Sequence, residues 1–176
     1  MQAKLIRTPG LYLVGFMGSG KTTVGRRVAG ELGWPFADLD GDIESGTGQA
    51  ITAIFEALGE AEFRRLETAA LERRVRSVQY GHPLILALGG GAFTQPGNLE
   101  LIRSGGVSIW LDCPLDRIRE RIQGQSHRPL AHDPARFEQL FHTRTAAYAS
   151  ADYRIQILSD DPEEAAGAIV ALPLFQ

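Results

Sequence analysis

The chain has almost no cysteine and no long apolar run, which excludes an intrachain disulfide and argues against a membrane span. It has one cysteine, Cys113, among 176 residues, so no intrachain disulfide can form and a reducing cytoplasm is the expected location. No apolar run approaches the roughly 20 residues of a membrane helix. The short polar start of the chain, up to Gly10, lacks the apolar core of a signal peptide. We therefore expect no membrane partner.

Lysine is also scarce, which singles out the few lysines present. Only Lys4 and Lys21 are lysines among the 18 basic residues, and Lys21 follows a glycine-rich stretch. The formal net charge is −3, and no basic stripe interleaved with aromatic residues occurs. Nucleic acid is therefore not an expected partner, whereas Lys21 calls for a specific explanation.

The composition is that of an ordinary globular protein. Hydrophobic residues make up 44% of the chain and charged residues 22%, which excludes disordered and fibrous classes. A chain of 176 residues suits one domain and can bury a core without disulfides or a structural metal. We expect residues 1–176 to form one domain, and since nothing indicates an obligate interface, we expect a monomer.

Short apolar runs alternate with helical periodicity along the chain. The runs at residues 11–14, 35–39, 84–88 and 107–111 read as strands, and residues 153–158 alternate like an edge strand. Helical patterns cover residues 21–32, 51–58, 63–78, 114–123, 137–148 and 162–172, with Gly59 separating the second from the third. This alternation predicts an α/β fold, a three-layer α/β/α sandwich around a parallel sheet of about five strands. Such sheets bind ligands beyond the carboxyl ends of their strands.

A phosphate-binding loop follows the first predicted strand. Residues 15–22 read Gly-Phe-Met-Gly-Ser-Gly-Lys-Thr and match the pattern G-x-x-x-x-G-K-[ST] in full. Glycines let backbone N–H groups cradle phosphate oxygens, and the following helix points its positive end at them. Lys21 is predicted to reach the β and γ phosphates, and Thr22 to bind Mg²⁺. A flexible glycine turn would not explain the strand before the loop and the helix after it.

Two carboxylates close the second predicted strand. Asp38 and Asp40 are two residues apart, so in a strand both side chains face the same side. Near a phosphate loop, one carboxylate suits hydrated Mg²⁺ and the other suits the proton of an attacking hydroxyl. A solvated strand end or a helix cap explains the pair equally well.

Further candidates are a triple glycine and several arginines. The run Gly89-Gly90-Gly91 ends the third strand and predicts positive φ or close backbone approach, either as an anion cradle or as a tight turn. Arg64, with Glu67 on the same helix face, and Arg144 offer planar forks for a carboxylate, and each taken alone also fits a solvated helix charge. Arg128 lies in a loop-like stretch from which it can close over phosphates. We interpret four other arginines as solvated helix charges: Arg65, Arg73, Arg74 and Arg76.

Taken in order, these motifs resemble the shikimate kinases, which are P-loop proteins of the nucleoside monophosphate kinase type. The likeness rests on the loop at residues 15–22, Asp-Leu-Asp at 38–40, Gly-Glu-Ala-Glu-Phe-Arg at 59–64, Gly-Gly-Gly-Ala at 89–92 and Arg-Pro-Leu at 128–130. It spans roughly residues 11–172. The resemblance implies a kinase that moves the γ-phosphoryl group of ATP to the 3-hydroxyl of shikimate, with one Mg²⁺ per ATP, on the route to aromatic amino acids. It also implies a core, a helical substrate-binding region at about 41–70 and a lid at about 122–134.

The resemblance assigns roles residue by residue. It implies that Asp40 binds shikimate hydroxyls and acts as base, and that Asp38 lies on the magnesium side with Thr22. The residues implied to hold shikimate are Asp40, Arg64, Glu67, Gly89, Gly90, Gly91 and Arg144. The residues implied to hold ATP are Gly18, Ser19, Gly20, Lys21, Thr22, Thr23, Arg121 and Arg128. Of these, Arg121 resembles a side chain against adenine and Arg128 the lid arginine.

Three alternatives remain at this point. A kinase of the same fold acting on gluconate should keep Lys21 and Asp38 without needing Asp40, Arg64 and the triple glycine together. A nucleotide-binding regulatory protein without catalysis should have lost Lys21, Thr22, Asp40 or Arg128. A nucleic-acid-dependent ATPase should carry a basic, aromatic stripe. All four catalytic candidates are present and the stripe is not.

Overall fold

Five parallel strands form one central sheet, as the alternation predicted. The computed structural model describes residues 10–123 and 133–175. The strands are β1 (Gly10–Val14), β2 (Phe36–Asp38), β3 (Leu84–Ala87), β4 (Gly106–Asp112) and β5 (Tyr153–Gln156). They lie in the order β2-β3-β1-β4-β5, and each neighbouring pair is parallel. The expected edge position of residues 153–158 is confirmed for β5.

Helices cover both faces of this sheet. Among the described residues they are α1 (Lys21–Leu32), α2 (Leu39–Thr47), α3 (Ile51–Gln79), α4 (Pro96–Gly105), α5 (Leu115–Ile122), α6 (Pro134–Tyr148) and α7 (Pro162–Val170), with 3₁₀ turns at Ala92–Thr94 and Pro173–Phe175. Helix α1 packs with α7, and α3 packs with α2 and α4. Every residue of β1 and of β3 is buried. Because alternate residues face opposite sides, both faces must be covered. None of the helices described is long and apolar enough to cross a membrane.

Helix α3 is bent where the sequence predicted a break. Gly59 has φ 80° and ψ 174°, which are not helical dihedral angles, and a helical segment lies on each side of it. This left-handed φ is favoured only by glycine. The bend divides a short segment that carries Ile54 from a long one that carries Arg64 and Glu67.

The carboxyl ends of four strands meet at one edge of the sheet. The phosphate loop follows β1, Asp38 ends β2, the triple glycine follows β3, and Ile157 to Ser159 follow β5. Parallel strands all present these ends on the same side, so motifs far apart in sequence are gathered there.

Candidate active site

A cavity of about 960 Å³ opens at this edge of the sheet. One wall is the phosphate loop from Met17 onward with the start of α1. Another wall contains Asp38, Asp40 and the first two glycines of the triple glycine. The far end is lined by Arg121 and the segment that follows β5. Its size is within the range of small-ligand sites.

The phosphate loop has the backbone geometry that anion binding needs. Gly18 and Gly20 have φ of 78° and 96°, so the loop turns through conformations that other residues resist. Gly20 caps α1 without any side-chain hydrogen bond, and the first turn of α1 has no acidic residue. Aspartate side chains cap α2, α6 and α7, whereas α3, α4 and α5 also lack a side-chain cap. The N-terminus of α1 differs in that it follows a glycine-rich loop lining the cavity, so its N–H groups can bind a ligand anion there.

Lys21 and Thr22 hold the loop from the start of α1. The Lys21 ammonium donates to the carbonyl oxygens of Gly15 at 2.8 Å and Phe16 at 3.1 Å. The Thr22 hydroxyl donates to Oδ2 of Asp38 at 3.0 Å. The structure thus brings the side-chain oxygens of Thr22 and Asp38 together at the cavity.

The strand geometry predicted for Asp38 and Asp40 is wrong. Strand β2 ends at Asp38 and α2 begins at Leu39, so the two carboxylates do not share a strand face. Oδ1 of Asp38 accepts from the N–H groups of Asp40 at 3.1 Å and Gly41 at 3.5 Å, which makes Asp38 the N-cap of α2. The capping hydrogen bonds of Asp38 favour a helix start at Leu39 over a longer strand. Both carboxylates still line the cavity, because the first helical turn starts at its wall.

The surroundings of Asp40 perturb its acidity. Burial raises the pKa of Asp40, and the negative charge of Asp38 raises it further. The positive charges of Lys21 and Arg64 act in the opposite direction. A partly desolvated carboxylate with a raised pKa, facing a phosphate loop, has the properties of a proton acceptor.

The triple glycine makes room for three charged side chains. None of the three has the positive φ that the sequence allowed for, so that half of the expectation is wrong. Close approach is confirmed instead. A Cβ on Gly89 would lie 2.7 Å from Oδ1 of Asp40, one on Gly90 would lie 2.7 Å from Nη1 of Arg144, and one on Gly91 would lie 2.5 Å from Nη2 of Arg64. Each glycine thus admits one functional side chain from a different helix.

Replacing Gly91 by alanine tests this close approach. The added methyl group would displace the Arg64 guanidinium, and a shift of about 1 Å at a positioned group can cost up to about 10²-fold in rate. We expect kcat/KM for the acceptor substrate to fall by at least about tenfold, with KM for ATP nearly unchanged. Steady-state kinetics with each substrate varied measure this. Gly97→Ala is the matched control because a Cβ there meets nothing within 4 Å. An unchanged acceptor kcat/KM in Gly91→Ala would contradict the assignment.

Arg64 and Glu67 form a buried ion pair next to the glycines. Nη1 of Arg64 donates to Oε2 of Glu67 at 2.9 Å, and Nη2 lies 3.4 Å from Glu60. Glu67 is only 1% exposed, and burial raises its pKa against the lowering effect of Arg64. Nε of Arg64 is buried and has no hydrogen-bond partner in the described part of the chain. The pair holds the Arg64 guanidinium beside Gly91, where an anion at the glycine turn can bind it.

Arg144 reaches the same turn from α6. Its guanidinium carbon lies 5.8 Å from the centre of the Phe16 ring. One helical turn later, Tyr148 donates its hydroxyl to the carbonyl oxygen of Gly90 at 2.5 Å. Sequence reasoning treated Tyr148 only as an apolar marker of the helix, and its spacing of four from Arg144 was the available signal.

Arg121 borders the far end of the cavity. Its Nη1 donates to the carbonyl oxygen of Gly18 at 3.0 Å, and its Nε donates to Oδ1 of Asp160 at 3.0 Å. Thr23 and Ser19 also line the cavity, near the loop. Sequence reasoning missed Asp160, which follows an edge strand and belongs to no recognisable motif. Arg128 lies outside the described residues.

One of the arginines interpreted as solvated is paired instead. Arg74 donates to both carboxylate oxygens of Asp42 at 2.6 Å, which joins α3 to α2. The partners are 32 positions apart, so no local pattern indicates the pair. Arg65, by contrast, is an exposed residue paired with Glu62 on its own helix.

The fold and the cavity together define a P-loop enzyme that transfers phosphoryl groups from ATP. The sequence model of the shikimate kinase family matches residues 17–172. The chain is 43% identical over 157 residues to a shikimate kinase of Synechococcus elongatus, covering 87% of this chain and 80% of that protein. It is 39% identical over 161 residues to one of Persephonella marina, covering 91% and 96%. This chain belongs to the shikimate kinase family.

A solved structure agrees with this membership. Shikimate kinase from Acinetobacter baumannii, in complex with shikimate, superposes with a TM-score of 0.85 at 36% identity. The match covers 94% of this chain and 93% of that chain. The similarity therefore extends over the sheet, the phosphate loop and the helices that border the cavity.

Proposed function

We propose that this chain transfers the γ-phosphoryl group of ATP to the 3-hydroxyl of shikimate, giving shikimate 3-phosphate and ADP. The observation that carries the proposal is the gathering of Asp40, Arg64 and Arg144 around one glycine turn, whose first two glycines line the same cavity as the phosphate loop. A phosphate loop alone would fit any P-loop kinase. A carboxylate base beside two arginine forks fits an acceptor that carries both a hydroxyl and a carboxylate.

The arginines and glycines are the proposed carboxylate site. Arg64 on α3 and Arg144 on α6 approach Gly91 and Gly90, so their guanidinium groups border the same turn. A planar fork binds a carboxylate through two parallel hydrogen bonds. Gly89 contributes by admitting Asp40, and Glu67 supports Arg64 and can accept a hydrogen bond from a shikimate hydroxyl.

Asp40 is the proposed base. Its carboxylate accepts the proton of the 3-hydroxyl while the hydroxyl oxygen forms its bond to the γ-phosphorus. The bond from that phosphorus to the β–γ bridging oxygen breaks, and ADP leaves with the electron pair. Lys21 is proposed to neutralise charge on the β and γ phosphates, and Gly18, Ser19 and Gly20, which line the cavity with it, are proposed to surround them with backbone amides.

Thr22 and Asp38 are the proposed holders of Mg²⁺, one ion per ATP. Their oxygens are hard donors 3.0 Å apart at the phosphate end of the cavity. No group of three or more His, Cys, Asp or Glu residues suited to a metal occurs in residues 10–123 and 133–175. That donor set fits Mg²⁺, which keeps several waters and is held by phosphates with one or two protein oxygens. When bound, the ion would neutralise charge on the transferring phosphates.

The far end of the cavity is proposed for the nucleoside of ATP. Arg121 borders this end, where it is held by Asp160 and by a loop carbonyl. Thr23, which lines the cavity near the loop, is likewise proposed to contact ATP. Arg128 is proposed as the lid arginine that approaches the phosphates within a lid at about 122–134. The helical region at about 41–70 is proposed to bind shikimate, since it carries Arg64 and Glu67. A cytoplasmic monomer with one domain over residues 1–176 likewise stays a prediction.

The test is ADP release from ATP and Mg²⁺ with shikimate and gluconate supplied side by side. We expect strong stimulation by shikimate and little by gluconate, because gluconate has no ring to place its carboxylate and hydroxyl in fixed positions. A coupled spectrophotometric assay measures release, and mass spectrometry identifies the phosphorylated acceptor. Stimulation by gluconate alone would overturn the acceptor. ATP binding without stimulation by either would point to a nucleotide-binding protein without this chemistry.

A further inference from the structure

Asn98 is a buried polar side chain that lies outside the cavity. It stands on α4 with only 1% exposure. Both ends of its amide are satisfied: Nδ2 donates to the carbonyl oxygen of Ala92 at 3.0 Å, and Oδ1 accepts from the Thr68 hydroxyl at 2.8 Å. A polar group is costly to bury, and an apolar residue would fill the same place more cheaply. The two bonds therefore indicate a positional role.

The partners of Asn98 belong to the two halves of the proposed carboxylate site. Thr68 follows Glu67 directly and lies one helical turn after Arg64, so Thr68 and Arg64 are neighbours on α3. Ala92 follows Gly91 directly. Asn98 thus connects the helix that carries Arg64 to the glycine turn into which Arg64 fits.

The carbonyl groups of residues 90–92 each accept a hydrogen bond from a side chain, and that of Gly89 accepts from the backbone N–H of Ala92. Gly90 accepts from the Tyr148 hydroxyl at 2.5 Å, Gly91 from the Thr94 hydroxyl at 2.7 Å and Ala92 from Asn98 at 3.0 Å. No hydrogen bond found within residues 10–123 and 133–175 uses the N–H groups of Gly89, Gly90 or Gly91 as donors. Carbonyl oxygens fixed by the protein leave these amides for an anion.

We propose that Thr68 and Asn98 are positioning residues that fix the distance between Arg64 and the glycine turn, and so set the affinity for the carboxylate of the acceptor. The inference rests on the proposed function of that site. The tolerance is small, since a Cβ on Gly91 would lie 2.5 Å from Arg64. Loss of the link would let α3 move relative to the turn. The phosphate loop, which shares no hydrogen bond with Thr68 or Asn98 in the described part of the chain, would keep its geometry.

The test replaces Thr68 by valine, which keeps the shape and removes the donor to Asn98. We expect KM for shikimate to rise about threefold to tenfold, as for the loss of one buried hydrogen bond, with KM for ATP within about twofold. Thr68→Ser keeps the hydroxyl and is expected to restore the parent KM. Gln79→Met is the matched control, because it removes a 3.4 Å hydrogen bond from exposed Gln79 to Ser104 at the other end of the same helix pair.

A shikimate KM that stays near the parent value in Thr68→Val would overturn the proposal, as would a parallel rise in both KM values. Thermal melts check that each variant folds, and Thr68→Ala, which favours helix, answers the same question if the valine variant does not fold. The parent assay separates this test from that of the function. A parent chain that is not stimulated by shikimate refutes the acceptor. A parent that is stimulated, together with a Thr68→Val variant whose shikimate KM is unchanged, refutes the link.

Discussion

Replacing Lys21 by alanine is expected to lower kcat by about 10³-fold or more with any acceptor, a loss typical of removing a preorganised charge from a phosphoryl-transfer site. The ammonium donates to the Gly15 and Phe16 carbonyl oxygens, which places it at the mouth of the phosphate loop. There it can neutralise charge that moves onto the bridging oxygen as the γ-phosphoryl group leaves. Single-turnover assays with saturating ATP measure the loss at the chemical step.

The control for Lys21 is a basic residue on the same helix. Arg27 is 52% exposed and pairs with Glu163 and Glu31 on the surface, where ion pairs contribute little. Arg27→Ala should therefore keep kcat within about twofold. If Lys21→Ala retained more than about a tenth of the parent kcat, the phosphate loop would not be the site of transfer.

The phosphate loop could be predicted from sequence because its parts are local. Eight consecutive residues specify the turn, the helix start and the lysine, and only the strand before them and the helix after them are needed as context. The glycine dihedrals at Gly18 and Gly20 and the uncapped start of α1 agree with that prediction. The alternation of apolar runs was equally local, and it predicted the parallel sheet correctly.

The end of β2 shows where local reasoning fails. Asp38 and Asp40 fit both an extended strand and the start of a helix, and the periodicity of two residues favoured the strand. In the structure, the side chain of Asp38 caps α2 and the chain turns after one residue. A short polar side chain can accept hydrogen bonds from backbone N–H groups that would otherwise pair within a sheet. Local propensity does not tell which of the two arrangements forms.

The sequence predicted either a positive φ or a close approach at the triple glycine but could not show which side chains approach it, for a different reason. Its three neighbours, Asp40, Arg64 and Arg144, come from α2, α3 and α6, so the need for glycine arises from side chains distant in sequence. Tyr148, which donates to the Gly90 carbonyl oxygen, is likewise 58 positions away. Asn98 and Tyr148 were missed for the same reason. A polar residue on an otherwise apolar helix face is a signal only when its partners are known.

Replacing Asp40 by asparagine is expected to lower kcat by about 10²- to 10⁴-fold while ATP still binds. Asparagine has nearly the same shape and can accept a hydrogen bond from the hydroxyl, but it cannot take up its proton. Binding of ATP depends on the phosphate loop, which the substitution leaves intact. Initial rates with both substrates saturating measure kcat, and fluorescence titration with an ATP analogue checks binding. A kcat near the parent value would refute the assignment of Asp40 as base.

The pH dependence gives an independent test of the same group. A base works only when deprotonated, so kcat/KM for shikimate should fall about tenfold per pH unit below the pKa of Asp40. Because burial and the charge of Asp38 raise that pKa, the fall should begin at a higher pH than for an ordinary aspartate. In Asp40→Asn the residual activity should lack this acid limb. Asp42→Asn is the matched control: it lies on the same helix and keeps an acceptor for Arg74. Its acid limb and kcat should match the parent, and an acid limb that survives in Asp40→Asn would assign the ionisation to another group, with Glu67 the nearest buried carboxylate on the turn.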